Sequence, residues 1–286
     1  MSDISWRLEI RHTSGYHYAG EVSSSYNEAR VTPLSTHRQV TLETSVTVNP
    51  GVPTYRYWDY WGTLVDAFDV HVRHTELSVV GESVVETLSP ETDRPVASWD
   101  DLCRPEVADS FSELLAPTAR VPDLSHYDEM TDLLPRLAAL STPQAAVDGA
   151  VEWVRARLTY KKGSTEVTST AADALTGGTG VCQDYTHLVL AVLRGIGIPA
   201  RYVSGYLHPS SDASIGTTAI GESHAWVEAW AGEWWGVDPT HGRPVGERHV
   251  VVGRGRDYGD VAPLKGIYHG APATTMNVSV ELTRLA

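Results

Sequence analysis

The sequence predicts an α+β protein: an N-terminal antiparallel β-sandwich, then a group of helices, then further strands. Three observations predict it. Residues 1–88 alternate apolar and polar side chains in short runs and lack helix-length apolar periodicity. The middle of the chain has that periodicity, most strongly after the glycine-rich loop Gly177-Gly-Thr-Gly180. From Ala200 onward strand-like alternation returns, in a segment dense in tryptophan. Strands and helices segregated along the chain point to α+β rather than α/β organisation.

Within residues 1–88, Trp6 to His12, Val40 to Val48 and Leu77 to Val80 read as strands, with Asn49-Pro50-Gly51 as a turn. Residues 89–105 are acidic, contain proline and carry few apolar side chains, and read as a linker. Residues 106–286 then form the core, closed by a C-terminal strand at Met276 to Leu282. Val107 to Leu115 is a short helix broken by Pro117. Tyr127 to Leu140 is a helix interrupted at Pro135. Pro143 to Leu158 is longer, with Thr142 as N-cap and Pro143 at the first helical position. Thr159-Tyr160 is extended. Cys182, Tyr185, Leu188, Val189, Val192 and Leu193 recur at helical spacing, so a helix over 182–194 with one buried face is expected. Gly195 is its expected C-cap. Residues 209–221, rich in Ser, Thr and Gly, read as a loop.

Cys182 falls in the first turn of that helix, where unpaired N–H groups and the dipole favour a thiolate. A base is found in the hairpin Ser223-His224-Ala-Trp226-Val-Glu228-Ala-Trp230-Ala-Gly-Glu-Trp234-Trp-Gly-Val-Asp238-Pro. His224, Trp226 and Glu228 share one strand face. A loop of Trp230, Ala231 and Gly232 would set Ala229 against Glu233 and His224 against Asp238. A carboxylate beside an imidazole selects its tautomer and stabilises the imidazolium. Cys182, His224 and Asp238 therefore make a nucleophile, base and orienter set.

The motifs Gly178-x-Gly180-x-Cys182-x-Asp184, Gly197-Ile-Pro-Ala-Arg201-Tyr-Val-Ser-Gly205-Tyr206, Ser223-His-Ala-Trp226 and Trp235-Gly-Val-Asp238-Pro-Thr resemble the transglutaminase-like superfamily, in the same Cys, His, Asp order. They span about residues 151–242. Asn27-Glu-Ala-Arg30-Val-Thr-Pro33, Gln39, Pro50 and Asp59-Tyr-Trp-Gly62 resemble the β-rich region preceding many bacterial transglutaminase-like cores, with Thr63 where that family usually has Asn. The resemblance implies a papain-like, transglutaminase-like core with the nucleophile helix packed on an antiparallel sheet. It also suggests an oxyanion donor on the extended stretch upstream of Cys182, for which Tyr160 is the candidate beside the Cys182 N–H. His208 and Trp226 are candidate cleft residues; core packing is the competing reading of Trp226.

Composition excludes several classes. With 286 residues and 42% hydrophobic content the chain can bury a substantial core. A net charge of −14 argues against nucleic acid. No apolar run is long enough to span a membrane, and the first residues lack the pattern of a signal peptide. Two cysteines make no disulfide framework, so a reducing cytoplasm is the expected location. Cys103 has no base near it in sequence. His71 and His74 lie on opposite faces of a strand, so no metal is expected, and no cofactor motif is present.

The expected partner is a peptide or amide substrate; oligomeric state is left open. Cys182 would form a thioester at an amide carbonyl, resolved by water in a cysteine peptidase or amidase, or by an amine in a transglutaminase. Water is the default acceptor at ~55 M unless a built amine site exceeds it. A non-catalytic protein-binding module on the same fold is the remaining alternative.

Overall fold

The computed structural model describes residues 5–89, 97–221 and 223–286. Strands β1 (Ser5–Ala29), β2 (Gln39–Asn49), β3 (Tyr55–Trp58), β4 (Leu64–Val70) and β5 (His74–Leu88) come first. Helices α1 (Trp99–Leu102), α2 (Pro105–Ser110), α3 (Ser112–Leu115), α4 (Asp128–Ala138) and α5 (Pro143–Arg157) follow. The next elements are β6 (Thr159–Tyr160), α6 (Ala171–Gly177), β7 (Thr179–Gly180) and α7 (Cys182–Gly195). The chain then runs through β8 (Ala200–Leu207), β9 (Thr218–Gly221), β10 (Ser223–Trp230), β11 (Trp234–Asp238), β12 (Arg243–Pro244) and β13 (His249–Gly255). Helix α8 (Tyr258–Val261) and strands β14 (Leu264–Gly270) and β15 (Ala273–Arg284) complete it.

The α+β class is as expected, but the sandwich is built differently. The five strands β1 to β5 join β9, β14 and β15 in one eight-stranded antiparallel sheet, ordered β2-β5-β1-β15-β9, with β14 and β4 attached to the far half of β1 and β3 attached to β4. The C-terminal strand expected in the core pairs instead with β1, from Tyr18 opposite Ala273 to Leu8 opposite Arg284. The facing layer is the second sheet, ordered β12-β11-β10-β8-β13. Leu8, Ile10, Val85, Val280 and Leu282 from the first sheet bury against Tyr206, Val250 and Val252 from the second. An apolar sheet face needs a cover, and here each sheet covers the other. Residues 90–96 of the expected linker lie outside the described residues; α1 begins at Trp99, with Ser98 as its N-cap.

The second sheet's other face carries α7. Ala225, Val227 and Ala229 of β10 bury in one cluster with Leu188, Val189 and Val192 of α7 and Ala146, Val147 and Val154 of α5. The expected single buried face of α7 is a correction: Gln183 to Arg194 are all buried, including His187. Helices pack on one side of α7 and the sheet on the other, so no polar face is left. The helix also runs through Gly195, and the left-handed glycine follows at Gly197 with φ 80°. Likewise α4 continues through Pro135 rather than breaking there.

Candidate active site

Gly178 leaves α6 in the left-handed conformation, with φ 65°. At Gly180 a Cβ would lie 2.5 Å from Asp184 Cβ, so only glycine lets the entering strand pass this close to α7. Asp184 Oδ2 accepts from Val181 N at 2.7 Å and from Thr165 Oγ1 at 2.6 Å. This clamp sets Cys182 at the first position of α7.

His224 and Asp238 come from adjacent strands, but in a different register from the one expected. Trp230 faces Trp234, Ala229 faces Trp235 and Val227 faces Val237, so the loop is Ala231 to Glu233. Ala231 is fully buried in that loop; its N–H donates to the Glu233 carbonyl at 3.1 Å and its carbonyl accepts from Ala97 N at 3.1 Å, while Trp230 enters the ladder and Glu233 leaves it. Asp238 thus sits diagonal to His224 rather than opposite it. The shift is by two residues, which preserves the strand face. His224 Nε2 donates to Asp238 Oδ2 at 2.9 Å. The other ring nitrogen is left for Cys182, whose side chain favours the protonated ring.

Asp238 is fully buried and serves more than one imidazole. Its Oδ1 accepts from Thr240 N at 3.0 Å and His241 N at 3.2 Å. Its Oδ2 also accepts from His241 Nδ1 at 2.8 Å and His249 Nε2 at 3.4 Å. Because His249 Nδ1 accepts from Gly246 N at 3.2 Å, the His249 proton is assigned to Nε2. Burial would raise the Asp238 pKa, but the hydrogen bonds from His224, His241 and His249 outweigh it and hold the carboxylate well below its usual range. Burial likewise opposes protonation of His224. Hydrogen bonds to Asp238 and Cys182, with their charges, override that and push its pKa up to about 10. His249 shifts the other way: burial lowers its pKa despite Asp238.

The sulfur opens into a cleft of about 740 Å³. Tyr160 lines it; β6 pairs in parallel with β7, setting Tyr160 beside Gly180. Tyr202 of β8 lines it too, and burial first, then the charge at Cys182, keep its phenol protonated. Two expected cleft residues lie elsewhere. Trp226 is fully buried, edge-on to His249 with ring centroids 5.3 Å apart, in a cluster with Leu34, Val203 and Val251. His208 is buried with Nδ1 against Ser210 O at 3.0 Å and its ring edge-on to Trp6. Trp226 packs in the interior among β8, β13 and Leu34, and His208, one residue past the end of β8, packs on Trp6 of β1.

Sequence reasoning missed His241, His249 and Tyr202. His241 carried a signal, since it follows Asp238-Pro-Thr directly. His249 had none, because it arrives on β13 through sheet topology. Among the described residues, His224, Asp238 and His241 have ligand-type atoms within 4.8 Å of one another. Those atoms are engaged in the hydrogen bonds given above.

The cysteine at a helix start, the His–Asp pair on neighbouring strands and the glycine entry recur in one group of proteins. The transglutaminase-like superfamily pattern matches residues 132–239, and the bacterial transglutaminase-like N-terminal region matches residues 8–86. The chain belongs to the transglutaminase-like superfamily. It is 48% identical to an uncharacterized protein of Mycobacterium leprae (strain TN), across 98% of this chain and 100% of that one. An uncharacterized protein of Mycobacterium bovis is 32% identical, across 96% and 92% of the two chains. A segment covering 22% of this transglutaminase-like chain is 41% identical to 10% of a Pseudomonas aeruginosa protein-glutamine gamma-glutamyltransferase. The solved structure of a proposed cysteine protease from Cytophaga hutchinsonii superposes with a TM-score of 0.78 at 23% identity, covering 99% of this chain and 92% of that one. That likeness shows a shared fold. Among the described residues, no helix is long and apolar enough to cross a membrane.

Proposed function

We propose that this transglutaminase-like protein performs thiol-dependent acyl transfer at an amide bond and that water is the acceptor. The observation that carries the reading is the convergence of Cys182, His224 and Asp238 at one cleft. The Cys182 sulfur attacks the amide carbonyl carbon, and the oxyanion meets the Cys182 N–H and a phenol from Tyr202 or Tyr160. His224, with its proton, donates to the departing nitrogen as the C–N bond breaks. Water then adds to the thioester while His224 takes its proton, and the acid and the thiol are released. Asp238 stabilises the imidazolium throughout, and His249 and His241 hold Asp238.

The similarity to the P. aeruginosa glutamyltransferase segment favours a second reading, in which an amine resolves the thioester. The test is intact-mass spectrometry with peptide amides in 18O-water, with and without added putrescine. A thioester on wild type and its absence in Cys182→Ala is expected, with 18O in the product acid. Putrescine in the product would establish transamidation. Turnover by Cys182→Ala above about a hundredth of wild type would remove the thiol from the chemistry.

A further inference from the structure

One strand edge beside the nucleophile has no partner strand. β15 pairs with β1 along its whole length, but on its other side β9 pairs only with Val280 to Thr283. Among the described residues no strand covers Thr274 to Val278 there. Met276, Asn277 and Val278 line the same cleft as Cys182 and His224.

The side chains carry the same message as the backbone. Met276, Val278, Val280 and Leu282 share one face of β15. Val280 and Leu282 bury in the interface between the two sheets. Met276 and Val278 continue that apolar row out of the interface and stay 51% and 37% exposed. Folded proteins normally guard such an edge with charge, proline or a bulge. The run Thr274-Thr-Met-Asn-Val-Ser279 has neither charge nor proline, and its register irregularity falls at Thr274, leaving Thr275 to Ser279 regularly paired with β1. Ile220, on the neighbouring strand β9, and Val167 also line the cleft, and Lys162 is the sole Lys, Arg, Asp or Glu among the described lining residues.

The geometry points to an extended polypeptide segment as the substrate, added as a strand to β15 at Thr274 to Val278 with apolar side chains against Met276 and Val278. This rests on the thiol chemistry proposed above. Main-chain hydrogen bonds to a sheet edge recognise peptide backbone whatever the sequence, and the pockets between alternate side chains select among sequences. Such docking would feed a backbone or side-chain amide into the cleft and would exclude small amides that have no strand to add.

The probe is a fluorescent peptide of alternating valine and threonine with a central glutamine and lysines at both ends. Its binding to full-length Cys182→Ala protein is followed by anisotropy. Saturable binding is expected. N-methylation at every second backbone nitrogen should weaken it about tenfold, and N-methylation at the intervening ones should leave it unchanged. The Met276→Glu/Val278→Glu variant, checked for folding by circular dichroism, should lose about tenfold in affinity. No saturable binding, or N-methylation effects without period two, overturns the proposal. So does a wild-type dimer that the double glutamate variant turns into a monomer, since a second copy would then occupy the edge. Period-two binding without a thioester on wild type would keep the edge and remove the chemistry.

Discussion

Asp238 is a shared acceptor: one carboxylate, fully buried, receives hydrogen bonds from three imidazoles and two backbone N–H groups. Asp238→Asn replaces one acceptor oxygen by an NH2 group and removes the charge that holds the His224 proton. Turnover should fall by roughly two to four decades, with the fold retained, as measured by steady-state kinetics. A smaller change would mean that His224 keeps its proton without Asp238. The phenols can be separated in the same assay. Tyr202 is the one whose ionisation the charge at Cys182 opposes. Tyr202→Phe should therefore lower kcat by about 10² with KM little changed, and Tyr160→Phe should cost less. The reverse order would move the oxyanion donor to Tyr160.

At the scale of elements, β8 and β10 bring the site together, and glycine makes their packing possible. A Cβ on Gly205 would lie 2.0 Å from the Val250 carbonyl oxygen and 2.7 Å from the Trp226 ring. The backbone oxygen cannot swing aside as a flexible side chain can. Gly205→Ala should therefore destabilise the protein by about 3 kcal/mol in denaturant unfolding. It should also lower activity, because His224 faces Gly205 across the β8–β10 ladder. The β10–β11 hairpin shows how far pattern reading reaches. Alternation put His224 and Asp238 on one face, and they are on one face. The loop came out one residue further on and the pairing register two, with Ala231 tied through its carbonyl to Ala97 N, a contact that no hairpin rule contains.

Across the whole molecule, the two sheets meet over buried polar groups whose protonation is linked to stability. His12 Nδ1 donates to Tyr206 Oη at 3.0 Å, and its Nε2 accepts from Ser14 Oγ at 2.9 Å. Burial lowers its pKa to about 4. Burial within the packing around α7 lowers that of His187 to about 3. Both folded values lie below the unfolded one of about 6.5, so the folded state resists protons that the unfolded chain accepts. The associated stability is fully present above pH 6.5 and is lost as pH falls toward 4 and then 3. Each histidine adds a slope of about 1.4 kcal/mol per pH unit in its window. Urea unfolding of His12→Gln should show a shallower decline between pH 6.5 and 4 than wild type; an unchanged slope would mean His12 is protonated in the folded protein.

By itself the sequence determined what repeats locally: strand and helix periods, the glycine entry to α7, the position of Cys182 at its start, and the shared face of His224 and Asp238. Those follow from backbone geometry over a few residues, and parity along a strand survives a register shift of two. Tertiary structure alone decided which distant elements meet. It brought His249 from β13 to Asp238, turned Trp226 and His208 away from the cleft, and carried β15 out of the core to pair with β1. The physical reason is that covering an apolar sheet face depends on which other face is available to cover it. That choice is made over the whole chain, and no window of sequence records it.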